Sequence, residues 1–166
     1  PMVAAEHRAT RERVALFDLT PFMKLEVMGS GALAALQRLT ANNLDRPPGR
    51  VTYTAMLDPR GGIKCDLTVT RLATEKFMVV TGGAMGLHDL GWMRRNVPDD
   101  GSVTITDVSA AQCCIGVWGP KARELMTRVC EDDLTNDGFP YLAARQITVD
   151  GVPCLAVRIS YAGELG

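Results

Sequence analysis

The chain has 166 residues, with 18 lysines and arginines against 19 aspartates and glutamates, a net charge of −1 and 46% hydrophobic residues. A chain of this length hides roughly 70% of its unfolded surface in a single core, and its balanced charge lacks the field that draws a protein to nucleic acid or to an anionic membrane. The longest apolar runs, such as Phe77-Met78-Val79-Val80, are far too short to span a bilayer, and the segment from Pro1 to Arg8 lacks a signal peptide's apolar stretch.

In chain order, Arg8 to Val14 is polar and helical in character, and Leu16-Phe17-Asp18-Leu19-Thr20-Pro21 leads out of it in extended form. Met23-Lys24-Leu25-Glu26-Val27 alternates apolar and polar, which predicts a half-buried strand. Gly29-Ser30-Gly31 breaks the strand. The following Ala32–Leu39 segment places Leu33, Leu36 and Leu39 on one helical face, with Ser30 as its cap. Tyr53-Thr54-Ala55-Met56-Leu57 and Ile63-Lys64-Cys65-Asp66-Leu67-Thr68-Val69 read as a hairpin across a Pro/Gly turn, and Asp66 is a lone acid among apolar residues. A third strand at Lys76–Thr81, a helix over Leu87 to Asn96 and a strand at Val103–Thr106 follow.

The strand, turn and helix unit then recurs. Asp107-Val108-Ser109 leads through Cys114-Ile115-Gly116-Val117-Trp118 to Gly119-Pro120-Lys121-Ala122, matching Asp18-Leu19-Thr20 and Gly29-x-x-Ala32. The offset of about 90 residues is too long for a solenoid repeat and predicts two related halves of one domain. Arg145–Val149 and Cys154–Ile159 flank Asp150-Gly151, a hairpin turn. Hairpins with separated helices predict an α+β fold with a largely antiparallel sheet. The chain stops at Gly166, just past a new loop at Ser160–Glu164, so a domain cut at its C-terminal end is expected.

Five cysteines without a C-x-x-C pair predict reduced thiols, and hence a cytoplasmic or mitochondrial-matrix setting. Neither histidine lies near a cysteine at metal-ligand spacing, so no metal site is expected. Cys113 and Cys114 are read as buried packing on the second copy's strand. Gly82-Gly83-Ala84-Met85-Gly86 fits neither dinucleotide nor mononucleotide glycine patterns. His88-Asp89 reads as a solvated first helical turn, since neighbours on a helix do not face each other. Met85, Met93, Trp92 and Trp118 read as core or lid packing. Alternation puts Asp66 on one face with Lys64 and Thr68, which allows either a solvent-facing carboxylate or one lining a cleft.

Taken together, Val14–Thr20, the Gly29-x-x-Ala32 helix, Tyr53–Leu57, Gly61–Val69, Trp118–Ala122 and Tyr161-Ala162-Gly163-Glu164 resemble the aminomethyltransferase family. That family comprises the glycine-cleavage T-protein and the folate-binding regions of dimethylglycine and sarcosine dehydrogenases. Where the T-protein pattern has two consecutive acids, this chain has Cys65-Asp66, and the dehydrogenase-linked branch likewise keeps only the second acid. The resemblance covers residues 1–166 and implies tetrahydrofolate-dependent transfer of a one-carbon unit, methylene or aminomethyl, from a small amine-derived donor onto the folate. It identifies Asp66 with the family's catalytic aspartate. It places Tyr53, Thr81, Gly82, Tyr161 and Glu164 at the cofactor, with Glu164 on the pterin's amino-pyrimidine edge. FAD is expected only on a separate region, and a flavin domain or a carrier protein as partner. Three alternatives stay open at this point. One is a regulatory or scaffold module that keeps the fold without chemistry, another a folate-dependent demethylase. An iron–sulfur-assembly factor of the same superfamily would need a cysteine in the loop Ile159-Ser160-Tyr161-Ala162-Gly163-Glu164, which has none.

Overall fold

Two compact units divide the chain in the computed structural model, which describes residues 1–166: one is Thr20–Cys113, the other combines Pro1–Leu19 with Cys114–Gly166. In the first, β2 (Met23–Met28), β3 (Val51–Leu57), β4 (Ile63–Ala73), β5 (Lys76–Thr81) and β6 (Thr104–Asp107) form one sheet in the order β3-β4-β5-β2-β6. Every pairing is antiparallel, so the predicted α+β class with a largely antiparallel sheet is what the chain adopts.

Alternation decides which face of the sheet is buried. Leu25 and Val27 from β2, Leu67 and Val69 from β4, Phe77 and Val79 from β5, and Met56 from β3 all enter one core. The helices α2 (Ala32–Leu39) and α3 (Gly86–Asn96) cover it with Ala32, Leu36 and Leu39, and with Leu90 and Met93. Leu25, Leu36, Phe77 and Met93 are fully buried, and each such side chain contributes about 1.5–3 kcal/mol relative to exposure. Beside β3, Ala41 N–H donates to Ala55 O, and the Asn42 backbone and side-chain amides bond Thr54 and Tyr53. This segment covers an otherwise open edge.

Several expectations need correction. Ser30 does not cap α2: the cap position is Gly31 and carries no side-chain bond. The backbone does the work instead, with Gly31 N–H donating to Ser102 O and Ala32 N–H to Gly29 O. The strand with Asp66 runs on to Ala73 because Thr70 and Arg71 continue the ladder with β5. Cys113 and Cys114 precede the second copy's strand, and Cys113 is exposed rather than buried. Met93 is core, whereas Met85 is exposed.

The second unit holds α1 (Met2–Glu12), a ribbon of β1 (Ala15–Asp18) with β7 (Ile115–Trp118), the short α4 (Ala122–Met126), and the hairpin β8 (Ala144–Val149) with β9 (Val152–Val157). Asp150 and Gly151 both take positive φ at the hairpin turn, 48° and 80°, as a two-residue turn matched to strand twist requires. Three arginines order the irregular stretch before β8 by donating to carbonyls: Arg123 to Leu134 O, Arg145 to Gly138 O and Arg158 to Phe139 O.

The two copies of the repeat share their local geometry. Gly29 and Gly119 have φ of 118° and 133°, and each carbonyl accepts the amide three residues on, from Ala32 and Ala122. An added Cβ at either glycine would lie 2.2 Å from Ser102 O or 2.5 Å from Arg13 O, so glycine is demanded twice for the same reason. Gly31 N–H donates to Ser102 O as Lys121 N–H donates to Arg13 O. The lead-in strands are exchanged. β1, which precedes the first copy, pairs with β7 of the second, while β6, which precedes the second copy, pairs with β2 of the first. The registers correspond residue for residue, Ala15↔Trp118 matching Thr104↔Met28 and Asp18↔Ile115 matching Asp107↔Leu25. The β1–β7 pairing explains why the second unit combines Pro1–Leu19 with Cys114–Gly166, segments far apart in sequence.

Candidate functional site

In the Thr20–Cys113 unit, the turn before Asp66 is fixed first. Asp58 accepts the amides of Arg60 and Gly62, and these bonds hold its carboxyl below the usual carboxylate range. The ladder then pairs Met56 with Cys65 but Leu57 with Ile63, so Lys64 is the extra residue of a bulge. Its ammonium sits 4.5 Å from the ring centre of Trp92 on α3. The simple alternation that grouped Lys64 with Asp66 is therefore broken at this point, and Asp66 is left beside Tyr53 without that cation.

Asp66 is exposed, and the Tyr53 hydroxyl donates to its Oδ2 at 2.7 Å from the neighbouring strand. That length is typical of a hydroxyl bonded to a charged acceptor. The bond fixes one carboxylate oxygen. Tyr53 is 58% exposed, so its ring offers an open aromatic surface next to the acid.

Thr81 lies elsewhere. Alternation along β5 sends it to the helix-covered face with Phe77 and Val79, and its Oγ1 donates to Asp89 Oδ2 at 2.5 Å. Its side chain is spent on that bond, so any approach to a ligand at this strand end falls to the backbone and to Gly82, around which a Cβ would meet nothing within 4 Å. Gly83 has a different reason to be glycine, since a Cβ there would lie 2.1 Å from Pro21 O.

The reading of His88-Asp89 as a solvated turn is overturned. Asp89 is 0% exposed, and His88 Nδ1 lies 3.1 Å from its Oδ1. Burial, then the Asp89 charge, push the Cys65 thiol up to about 12. Cys65 is thus a neutral thiol and a poor nucleophile. The sequence carried a signal for this cluster that the reading missed: Asp89 stands with Gly86, Leu90 and Met93 on the buried stripe of α3, an acid at an apolar position.

In the other unit, Glu164 folds back on its own loop. Its two oxygens accept the amides of Tyr161 and Ala162 at 2.7 Å each, while Gly163 N–H donates to Ser160 Oγ with φ of +88°. Burial raises the Glu164 carboxyl, but the amides of Tyr161, Glu164 and Ala162 and the Ser160 hydroxyl outweigh it and hold the group below the usual range. Tyr161 packs edge-on against Trp118, centroids 5.7 Å apart, and Trp118 against Phe17 at 5.3 Å. Tyr141, Arg158, Ser160, Tyr161 and Glu164 line an open depression of about 520 Å³. Its lining offers an aromatic face, a cation and an anion.

The family model described as the GCVT N-terminal domain matches residues 1–166. Among curated proteins, 4-methylaminobutanoate oxidase (formaldehyde-forming) of Paenarthrobacter nicotinovorans is 37% identical over 99% of this chain and 20% of its own length. Human mitochondrial dimethylglycine dehydrogenase is 34% identical over 99% of this chain and 19% of its own. The chain thus spans about a fifth of these relatives. Among solved structures, the glycine cleavage system aminomethyltransferase T from Bartonella henselae superposes with a TM-score of 0.82 at 22% identity, covering 98% of this chain and 43% of that one, a likeness of fold.

Proposed function

The chain belongs to the GCVT N-terminal domain family, and from that premise we propose that it is the folate-binding, one-carbon-transfer domain of a longer enzyme acting on N-methylated amines. The observation that carries the reading is the Tyr53–Asp66 pair: an exposed carboxylate held at one oxygen by a tyrosine hydroxyl at 2.7 Å, on a strand whose turn is itself pinned.

Tetrahydrofolate, when bound, supplies the nitrogens that take up the one-carbon unit. Asp66 accepts a proton at Oδ1 and lowers the energy of positive charge arising beside it, because a fixed anion needs no rearrangement when that charge appears. Tyr53 holds Oδ2 and presents its ring to a flat heterocycle. Glu164 faces paired donors with a carboxylate that its loop amides keep ionised. The donor, by analogy with what the relatives' names describe, is a methylamino acid, and the oxidation that releases the one-carbon unit belongs to a region outside these residues.

The test is Asp66→Asn in the full-length parent protein, assayed for folate-dependent one-carbon uptake with dimethylglycine and 4-methylaminobutanoate as donors. Loss of a positioned acid–base group lowers such a rate about 10²–10⁴-fold. A rate within about twofold of wild type removes Asp66 from the chemistry, and a protein that binds tetrahydrofolate without turning over any donor supports a scaffold instead.

A further inference from the structure

We propose that Asn42 is a positioning residue for the Tyr53–Asp66 pair, holding the edge strand that carries Tyr53 where its hydroxyl reaches the acid. The inference rests on the reading of Asp66 as the transfer carboxylate. Asp66 stands opposite Ala55, so Tyr53, two residues earlier on β3, meets it on the diagonal rather than directly across. Diagonal neighbours lie about 7–8 Å apart, and a long aromatic side chain bridges that gap only while the two strands keep their relative shift and twist. The β5 pairing ends at Leu67↔Thr81, so at Asp66 the one strand laddered to β4 is β3, itself the outermost of the sheet. A strand paired on one side has fewer bonds to lose on local opening.

Residues 40–44 supply what β3 lacks. Asn42 Nδ2 donates to Tyr53 O at 2.7 Å, the Asn42 backbone N–H to Thr54 Oγ1 at 3.0 Å, and Ala41 N–H to Ala55 O at 3.0 Å. Three consecutive residues of β3, Tyr53 first, are thus bonded to a segment outside the sheet. That segment is itself anchored to α2. Thr40 Oγ1 donates to Leu36 O at 2.9 Å, while Gln37 accepts the Leu44 amide at its Oε1, 2.6 Å away, and donates from Nε2 to Asn43 Oδ1 at 2.9 Å. The Leu44 side chain is buried in the core beside Leu36 and Leu39. Hydrogen bonds therefore run from α2 through residues 40–44 to the Tyr53 backbone, and from the Tyr53 hydroxyl to Asp66 Oδ2. Asparagine suits position 42 because its side-chain amide donates to a strand carbonyl while its backbone N–H makes a second bond. Aspartate, of the same shape, would set one acceptor against another. Reacting groups tolerate only about 0.5 Å of misplacement, so a slip of β3 is felt at the acid.

The test uses the full-length parent protein with tetrahydrofolate and dimethylglycine. Asn42 is exposed, so Asn42→Ala and Asn42→Asp remove the donor without emptying the core. Thr54→Val takes away the second bond at constant shape, and Thr54→Ser restores it. Asn42→Ala, Asn42→Asp and Thr54→Val are each expected to speed amide exchange at Thr54 and Leu67, partners across β3 and β4, about tenfold relative to Val27 of β2. Each should lower kcat about tenfold, with Thr54→Ser recovering most of the loss. Tyr53→Phe keeps the ring and removes the hydroxyl, so in that background Asn42→Ala should change kcat by less than about twofold. An equal loss in both backgrounds is what a purely structural role produces, and it overturns the proposal. So does Asn42→Ala with wild-type kcat, or with wild-type exchange at Thr54 and Leu67. Asp66→Asn run alongside separates the two claims: if transfer ignores Asp66 the functional reading falls, while the exchange data still decide whether Asn42 holds β3.

Discussion

The burial and charge around Cys65 make its reactivity a sensitive readout of the cluster. Its thiol is pushed up from 9.0 to about 12, so at pH 8 its thiolate fraction is about a thousandfold below that of an ordinary cysteine. A more basic thiolate is also more nucleophilic, which returns about 20-fold and leaves native Cys65 about 50-fold slower toward a small uncharged disulfide. The assay follows modification of Cys65 by peptide mass spectrometry from pH 7 to 10, in native protein and in denaturant, where the same residue reports its unperturbed behaviour. The denatured rate should level off above pH 9, whereas the native rate should still climb about tenfold per unit at pH 10. Steric shielding alone would lower the native rate without moving its inflection. Asp89→Asn removes the second cause and leaves burial, the first, so the native inflection should move down part of the way. A native profile that levels near pH 9 would refute the argument that burial and Asp89 hold this thiol neutral.

Gly29→Ala should destabilise the Thr20–Cys113 unit far more than Gly101→Ala, because both have positive φ but only Gly29 would drive a Cβ into a backbone carbonyl. Urea unfolding should show about 1–2 kcal/mol for Gly101→Ala and a clearly larger loss for Gly29→Ala; equal losses would contradict the steric account. Alkaline stability follows from the raised thiol: a group bound more tightly to its proton in the folded state contributes fully below pH 9 and loses that contribution as pH rises from 9.0 toward 12. Cys65→Ala should flatten the stability profile in that window, and an unchanged slope would remove Cys65 as its source. Glu164 has the opposite sign. Its folded value is depressed, so its loop contacts hold above the ordinary glutamate range and are lost as pH falls through the lowered value. Emission of Trp118, which touches Tyr161, should report this in a Trp92→Phe background with a midpoint below 4.5; a midpoint at or above 4.5 would show the loop amides do not hold the carboxylate.

Strands and helices with a clear period were legible in the sequence. Met23–Val27 and Lys76–Thr81 alternate because one face is core, and the Gly29 and Gly119 turns announced a repeat whose exchanged strand pairs the sequence had no local means of showing. The Asp150-Gly151 hairpin was legible for the same reason, a turn type that demands left-handed φ. What was not legible depends on register. The bulge at Lys64 breaks the alternation that had grouped Lys64 with Asp66, and a bulge leaves little local trace in composition. The place of Thr81 at a strand end points it toward a ligand, yet its position in the alternation of β5 assigns its side chain to the core face. Adjacency to His88 says little about Asp89, whereas its spacing with Gly86, Leu90 and Met93 marks it as buried.

The central claim is that this domain binds a reduced folate for one-carbon transfer at Asp66, and calorimetric titration of tetrahydrofolate into the full-length parent protein tests it most directly. The account predicts saturable one-to-one binding that weakens about tenfold or more in Glu164→Ala, the loss expected when a charged hydrogen-bond acceptor is removed. It predicts affinity nearly unchanged in Asp66→Asn, whose defect should lie in turnover. No detectable binding by well-folded parent protein would contradict it.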